Sequence, residues 1–232
     1  MDYLLFSAFG SAVLFFILIP HYLHFKQVKH KRTAITIKGL CTMIPILFCM
    51  AAVIRLKETP SLNISTVRLL PDASCWLLAG LLLGLVGDIV LCIHFVGGMG
   101  AFLLGHICYM IAFCKLANFQ LWSIGLFIIL LLLALVYFRS LIPKMGKNKI
   151  PFLIYGTIIL VMVSIALLLP FSIGYLGILP AVGAFLFVLS DLLLARNILV
   201  RVTALSDAVS LYCYYAGQLI FAMSVYLYTL FI

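Results

Sequence analysis

The sequence predicts an all-α integral membrane protein, folded as a bundle of about eight transmembrane helices. Hydrophobic residues make up 66% of the 232 residues and charged residues only 9%, which is more apolar surface than a soluble domain can bury. The apolar residues fall into runs of roughly 20, the length of helix that crosses the hydrocarbon core. Because only short polar breaks separate these runs, we expect residues 1–232 to form a single transmembrane domain.

Eight apolar runs define the predicted spans. They cover residues 4–23, 34–54, 75–93, 98–115, 119–138, 151–170, 173–194 and 208–231. Pro151 is suited to the first turn of a helix, whereas Pro170 and Gly174 mark the break between spans six and seven. Pro180 lies inside span seven and predicts a kink there.

The basic residues predict the orientation of the bundle. Lys and Arg total 15 against 6 Asp and Glu, and most lie between apolar runs, so they favour contact with anionic lipid head groups and not with nucleic acid. The loops after spans one, five and seven carry ten of them, and the alternate loops carry four. We therefore expect the odd-numbered loops to face the cytoplasm and both termini to face outside. A bacterial plasma membrane and an organelle membrane fit this pattern equally well.

A short similarity between the two halves of the chain predicts a 4+4 parallel repeat. Spans three and seven each place an aspartate, Asp88 and Asp191, after a small residue and ahead of an apolar tail. Spans four and eight contain Gly105-His106 and Gly217-Gln218 in similar apolar and aromatic settings. Because four spans preserve orientation, such a repeat would bring these pairs into equivalent positions.

Several polar side chains lie within the predicted spans, where an ionisable group is costly and marks a candidate functional site. Asp88 and Asp191 lie toward the ends of spans three and seven. The other candidates lie at a similar depth and are Lys38, His106, Tyr155, Tyr212, Tyr214, Tyr215 and Gln218. Because a shared depth predicts a shared pocket, we expect the two aspartates, His106 and Gln218 to line one cavity near one membrane face.

Small residues indicate which way the two aspartates face. Gly80 and Gly84 precede Asp88 by eight and four residues, so they lie on the same helical face. Stripes of small residues allow transmembrane helices to approach closely, so we expect Asp88 to point into the bundle. Asp191 shares its face with Ala184 and Ala195, which is a weaker indication that it also points into the bundle.

Each candidate also has a structural interpretation. The aspartates could lock helices together by pairing with Lys38 or a tyrosine, and Lys38 could extend to the interface. His106 could be an interior histidine with satisfied hydrogen bonds, and Tyr214 and Tyr215 could belong to the aromatic belt. Asp207, at the start of span eight, is most simply a residue that stabilises a helix N-terminus.

Two inward-facing carboxyls at matched depth suit general acid–base catalysis, because one can keep its proton in an apolar setting while the other stays ionised beside donors. We expect no metal site, since His106 is the one histidine at this depth and zinc sites use several His or Cys ligands. The sequence contains no nucleophile elbow, Walker loop or HExxH motif, and we expect no cofactor.

Spans two to eight carry five short motifs in a defined order and spacing. They are Lys38-Gly39-Leu40, VGDIVLCIHFVGGMGAFLLGHICY at residues 86–109, Tyr155-Gly156, GAFLFVLSDLLLA at residues 183–195 and YYAGQLIF at residues 214–221. Together these motifs resemble the signature of the lysoplasmalogenase family, also called YhhN-like.

The resemblance implies a polytopic membrane enzyme that cleaves the vinyl-ether bond of a lysoplasmalogen, a lysophospholipid, to give a fatty aldehyde and a glycerophospho-base. It marks Asp88 and Asp191 as the catalytic acids. The positions that it marks for substrate binding or support are Lys38, His106, Tyr155, Tyr215 and Gln218. For such a substrate, Lys38 and the interfacial arginines are the candidates to hold the phosphate.

Two other functional classes stay open. A small proton-coupled transporter would use the two aspartates as proton or ion sites, and a non-catalytic lipid-binding or scaffold protein would tolerate their replacement. The polar groups gather toward one membrane face, whereas transporter sites lie near the midplane, so the pattern favours a substrate that enters from one leaflet.

Overall fold

The computed structural model describes residues 3–58, 65–118 and 121–230, and within these ranges the chain is helical with no strand. The helices are α1 (Tyr3–Val13), α2 (Ile19–Gln27), α3 (Lys31–Glu58), α4 (Ser65–Leu91), α5 (Phe95–Leu116), α6 (Leu121–Phe138), α7 (Lys149–Ala166), α8 (Leu169–Ile173), α9 (Ile178–Leu199) and α10 (Ala204–Thr229). A π-helical stretch, Leu14–Leu18, joins α1 to α2, and 3₁₀ turns occupy Ile142–Asn148 and Gly174–Gly177. The predicted all-α class is confirmed.

Six helical stretches in the described ranges are long and apolar enough to cross a membrane. They are Tyr3–Gln27, Lys31–Glu58, Leu69–Leu91, Phe95–Leu116, Ile142–Leu199 and Ala204–Thr229. The fifth of them is 58 residues long and contains α7, α8 and α9, and Ser123–Phe138 is a shorter apolar helix. The protein is therefore a multi-pass integral membrane protein, while the count of eight spans and the 4+4 repeat stay predictions.

Several helices extend beyond the apolar runs that predicted them. Helix α4 begins at Ser65 instead of residue 75, because a helix can continue past the hydrocarbon core where its charged groups find partners. Asp72 of α4 is one such group, and its carboxylate lies 2.6 Å from Lys115 Nζ of α5. Residues 119 and 120 of the fifth predicted span and residue 231 of the eighth lie outside the described residues.

The prolines and one glycine define the start of α9. The break between the predicted spans six and seven is present, with Pro170 in the short helix α8 and Gly174 at a φ of +63°. The predicted kink at Pro180 is wrong, because Pro180 is the third residue of α9. The first N–H groups of a helix have no intrahelical partner, so a proline there removes no hydrogen bond.

Close packing at glycines joins α4 to α5 and α9 to α10. A side chain at Gly80 would overlap the ring of Tyr109, and a side chain at Gly183 would overlap the ring of Phe221. The face of α4 that carries Gly80 is therefore turned into the bundle, and Asp88 on that face is only 1% exposed. The predicted inward orientation of Asp88 is confirmed.

One end of the bundle carries the connections between α2 and α3, between α4 and α5, and between α9 and α10. These connections are residues 28–30, 92–94 and 200–203. We call this the site end, because the polar side chains predicted to share a depth lie within a few turns of it. The side chain of His94, in the second connection, accepts a hydrogen bond from the backbone N–H of Gly97 and so caps α5.

Candidate active site

A cavity of about 220 Å³ opens at the site end of the bundle. Its wall includes both predicted acids, Asp88 of α4 and Asp191 of α9. Three of the predicted supporting residues, Lys38, His106 and Tyr155, line the same cavity. The structure thus brings together five side chains from α3, α4, α5, α7 and α9, as their common depth in the sequence indicated.

Asp88 is held by one ion pair and two hydrogen bonds. Lys38 Nζ lies 3.0 Å from Asp88 Oδ1, and the hydroxyls of Thr42 and Tyr214 donate to Oδ2 at 2.5 and 3.0 Å. This set of contacts suits a carboxylate anion neutralised by a lysine. Lys38 is 6% exposed and does not extend to the interface. The contacts join α4 to α3 and α10, as the helix-locking interpretation requires, and Asp88 also lines the cavity.

Two predicted residues lie behind the cavity wall. Gln218 Nε2 donates to the hydroxyl of Tyr214 at 2.7 Å, and the hydroxyl of Tyr215 donates to the carbonyl of Lys38 at 3.2 Å. Both residues are fully buried, and neither lines the cavity. Gln218 was expected on the wall, but Tyr214, one turn earlier on α10, lies between it and Asp88. The interpretation of Tyr214 and Tyr215 as aromatic belt residues is therefore wrong, because both are buried in the bundle.

Asp191 has a different set of neighbours. The hydroxyl of Tyr155 donates to Asp191 Oδ2 at 3.4 Å, and His106 Nε2 lies 3.8 Å from the same oxygen. Among the described residues, these contacts are fewer and longer than those of Asp88. The side chain of Asp191 is 17% exposed, against 1% for Asp88, so Asp191 is the more accessible of the two carboxyls to a molecule in the cavity.

The ring of His106 is oriented by one strong hydrogen bond. Its Nδ1 lies 2.7 Å from the backbone carbonyl of Phe102. Because a carbonyl oxygen can only accept, Nδ1 carries the proton, and Nε2 of the neutral ring presents a lone pair toward Asp191. Nε2 is buried and has no hydrogen-bond partner within the described ranges. An interior histidine with satisfied hydrogen bonds would have a partner at both ring nitrogens. In the described part of the chain, His106 has one at Nδ1 only, and its Nε2 is directed at Asp191.

The mouth of the cavity is crossed by an ion pair between α2 and α10. Lys26 Nζ lies 2.7 and 2.6 Å from the two carboxylate oxygens of Asp207, and both residues line the cavity. A capping box of Thr203 and Ser206 fixes the start of α10 and with it the position of Asp207. Asp207 is therefore more than the helix N-terminal residue that the sequence indicated.

A second cavity, of about 190 Å³ and largely apolar, lies beside the first. Helices α5, α6, α7 and α9 supply most of its wall. Asp191, Tyr155 and Phe102 line both cavities, so the polar space and the apolar space meet at Asp191. Residues of α6 such as Ile128, Ile129 and Leu132 are exposed on the apolar surface of the bundle.

Metal ligands do not cluster in the part of the chain that the structure describes. No group of three His, Cys, Asp or Glu side chains has a geometry suited to a metal ion among these residues. His106 and Asp191 are two neighbouring candidates, and structural zinc needs four ligands or catalytic zinc three. A metal-free, cofactor-free site stays a prediction.

The sequence did not indicate Thr42, Lys26 or Asp207 as site residues. Thr42 follows Lys38 by four residues, so helical spacing would have placed its hydroxyl on the same face. Lys26 and Asp207 are separated by 181 residues and lie in polar segments, where no local pattern reveals that they meet.

The comparison with known proteins is specific at the level of family. The model of the YhhN family matches residues 37–225, which include Lys38, Asp88, His106, Asp191 and Gln218. No curated protein and no solved structure gives a significant match. The match includes all of α4, α5, α7 and α9 and most of α3 and α10, the six helices that carry the predicted side chains.

Proposed function

Because the chain belongs to the YhhN family, we propose that it is a membrane-embedded hydrolase that cleaves the vinyl-ether bond of a lysoplasmalogen. The products are a fatty aldehyde and a glycerophospho-base. The observation that carries the proposal is the unequal pair of carboxyls, Asp88 and Asp191, in the wall of one cavity. A buried, ion-paired carboxylate beside a reachable and poorly paired carboxyl is the arrangement that acid–base chemistry needs.

In this proposal Asp191 is the general acid. It is the more exposed of the two carboxyls, and the charge on it would be offset by no lysine, unlike the charge on Asp88. A carboxyl in that setting keeps a proton more readily than one held by an ammonium and two hydroxyls. Asp88, fixed by Lys38, Thr42 and Tyr214, serves as the preorganised anion.

The reaction starts with transfer of the Asp191 proton to the outer carbon of the vinyl ether. The resulting oxocarbenium ion is attacked by water, whose proton returns to the Asp191 carboxylate. The hemiacetal so formed loses its glycerol oxygen as an alcohol, with its own hydroxyl proton transferred to that oxygen, and leaves the aldehyde. The sequence of steps consumes one water and regenerates the acid.

His106 and Tyr155 act on the water and on the acid. The Nε2 lone pair of His106 is directed at Asp191 Oδ2 across 3.8 Å. That distance is too short to hold a water between the two atoms, so the attacking water would bind beside the pair and donate to both. Tyr155 donates to the same carboxylate oxygen, so it stabilises Asp191 after the proton has left. Both are therefore positioning residues for Asp191 and its water.

The two cavities suit the two parts of the substrate. The hydrocarbon chain would occupy the apolar cavity between α6 and α7, and the glycerol backbone would occupy the polar cavity. Because the cavities meet at Asp191, the vinyl ether, which joins the chain to the glycerol, would lie beside the general acid. Entry from the lipid side past α6 requires no passage of the chain through water.

The proposal is tested by incubating the protein, purified in detergent, with a lysoplasmalogen and measuring the released aldehyde. We expect aldehyde from the vinyl-ether lipid and none from the matching saturated ether, which cannot be protonated to an oxocarbenium ion. A folded sample that releases no aldehyde across several head groups would contradict the proposal and favour the carrier interpretation.

A further inference from the structure

The ion pair at the cavity mouth combines the two charges that a phospholipid head group would need. Lys26 supplies a cation and Asp207 an anion, and both border the cavity that contains Asp88 and Asp191. A phosphoethanolamine or phosphocholine group carries one phosphate anion and one ammonium cation. We propose that Lys26 and Asp207 form the head-group site, with Lys26 binding the phosphate and Asp207 binding the ammonium. The inference rests on the proposed function.

The pair can exchange partners because it is accessible. The side chain of Lys26 is 44% exposed and that of Asp207 is 20% exposed. Exposed ion pairs contribute little to stability, so a zwitterion can replace the internal pair with two new pairs of the same kind. The buried pair of Lys38 and Asp88, at 8% and 1% exposure, has no such freedom. Lys38 is therefore a poor phosphate ligand, although the sequence made it a candidate.

An aromatic ring completes the site. Lys26 Nζ lies 5.9 Å from the centroid of the Tyr22 ring, and Tyr22 lines the cavity. When Lys26 turns to a phosphate, this ring face becomes available to the ammonium of the substrate, beside Asp207. Ammonium groups, and quaternary ammonium groups above all, bind aromatic faces in this way.

A matched ion pair exists elsewhere in the bundle. Lys115 and Asp72 form a 2.6 Å contact, also partly exposed, between α5 and α4. Asp72 precedes Asp88 by 16 residues of continuous helix, which is about 24 Å along the axis. Neither residue lines the cavity. Variants of Lys115 and Asp72 therefore serve as controls, because they remove an ion pair of the same kind far from the proposed head-group site.

The test uses three substrates with the same alkenyl chain. One carries phosphoethanolamine on the glycerol, one carries phosphate alone, and one is the alkenyl glycerol without phosphate. Asp207→Asn should raise KM about tenfold for the first substrate only, and Lys26→Ala should raise KM about tenfold for the first two, the scale of one lost charge-assisted hydrogen bond. Asp72→Asn and Lys115→Ala should leave all three KM values unchanged, and kcat should change little throughout.

A binding measurement separates this inference from the proposed reaction. The saturated-ether analogue with phosphoethanolamine cannot be cleaved, and its affinity for the protein can be measured by calorimetry without any turnover. We expect Lys26→Ala and Asp207→Asn each to weaken it about tenfold, with Asp72→Asn as the unchanged control.

Unchanged affinity and unchanged KM in both variants would overturn the head-group site. So would an equal loss for all three substrates, since that pattern indicates a structural latch. Absence of aldehyde from the wild-type protein would instead contradict the proposed reaction, while the affinities would still test the site.

Discussion

Lys38 and Asp88 form an ion pair that is shielded from solvent, with Nζ 3.0 Å from Oδ1 and side-chain exposures of 8% and 1%. Among the described residues, neither charge makes a second ion pair. Thr42 and Tyr214 occupy the second carboxylate oxygen, so the pair is integrated into contacts between α3, α4 and α10. The arrangement makes the stability of these three helices depend on keeping both charges or neither.

Replacing one member of this pair should destabilise the protein more than replacing both. Lys38→Met leaves an unpaired buried carboxylate and should lower the free energy of unfolding by about 3 kcal/mol. The double variant Lys38→Met, Asp88→Asn should recover most of that loss. Thermal unfolding of the wild type, the two single variants and the double variant in detergent gives the coupling free energy of the two side chains. For the exposed pair of Lys115 and Asp72, the same set of variants should give a coupling of about 1 kcal/mol or less. Equal coupling free energies in the two pairs would contradict the claim that burial makes the Lys38–Asp88 pair important for stability.

Asp191→Asn should abolish the proton transfer and leave the fold intact. We expect at least a ~100-fold loss of turnover, the usual scale for a general acid, because asparagine keeps the shape of the side chain but delivers no proton. Asp88→Asn should lose a similar factor, and the variant with both changes should be little worse, since groups that act as a unit are not additive. Aldehyde release is the measurement.

The control for Asp88 has to separate chemistry from folding, because Asp88→Asn leaves Lys38 without its partner. The variant Lys38→Met, Asp88→Asn removes both charges and should fold. Near-normal turnover in that variant would mean that Asp88 only locks helices together. Near-normal turnover in folded Asp191→Asn would exclude the two-carboxyl mechanism.

His106→Ala should reduce turnover by less than the ~100-fold expected for the general acid, because His106 acts on Asp191 and its water instead of on the substrate. His94→Ala is the matched control, since His94 also faces a backbone group but caps α5 and does not line the cavity. It should keep near wild-type turnover. Aldehyde release is compared at saturating substrate, and a loss from His106→Ala as large as that from Asp191→Asn would assign His106 a direct part in proton transfer.

Gly156→Leu should shorten the hydrocarbon chain that the protein accepts. Gly156 lines the apolar cavity, and a side chain there would project into open space. We expect kcat/KM for a long-chain substrate to fall about tenfold while a short-chain substrate is retained, the scale of a misfit in an apolar pocket. Gly125→Leu on α6 is the control, because its side chain also meets open space but does not line the cavity. Equal effects of both variants on every chain length would exclude the apolar cavity as the chain site.

Activity should survive exhaustive chelation. The described part of the chain offers no group of three suitable ligands, and zinc held by two is easily removed. Aldehyde release before and after dialysis against a chelator is the measurement. Loss that zinc restores would mean that His106 and the aspartates share a metal ion.

The sequence was most informative where composition and depth decide the outcome. An ionisable side chain inside an apolar run has to face protein, so Asp88, Asp191 and His106 could be placed in one cavity before any geometry was known. Gly80 gave the orientation of Asp88 because a missing side chain allows the ring of Tyr109 to approach.

The sequence was least informative where two residues share a helical face, or where two residues far apart in the chain are in contact. Tyr214 and Gln218 are one turn apart on α10, and periodicity does not tell which of them reaches Asp88 and which supports the other. The contact of Lys26 with Asp207 depends on how α2 lies against α10, which is a property of tertiary packing. Helix ends such as that of α4 were misplaced because hydropathy reports the hydrocarbon boundary and not the last hydrogen bond.

The wall of the polar cavity has a consequence for biosynthesis. Asp207 and Tyr214, on α10, close a space that α3 and α4 begin, so the ribosome has to deliver every described helix from α1 to α9 before Asp88 receives its tyrosine donor. During that interval the nascent chain holds a carboxylate in the bilayer with Lys38 and Thr42 as its neighbours on α3. Because Lys38 precedes Asp88 in the chain, the lysine is already present to neutralise this carboxylate when α4 enters the membrane, long before there is a cavity to line.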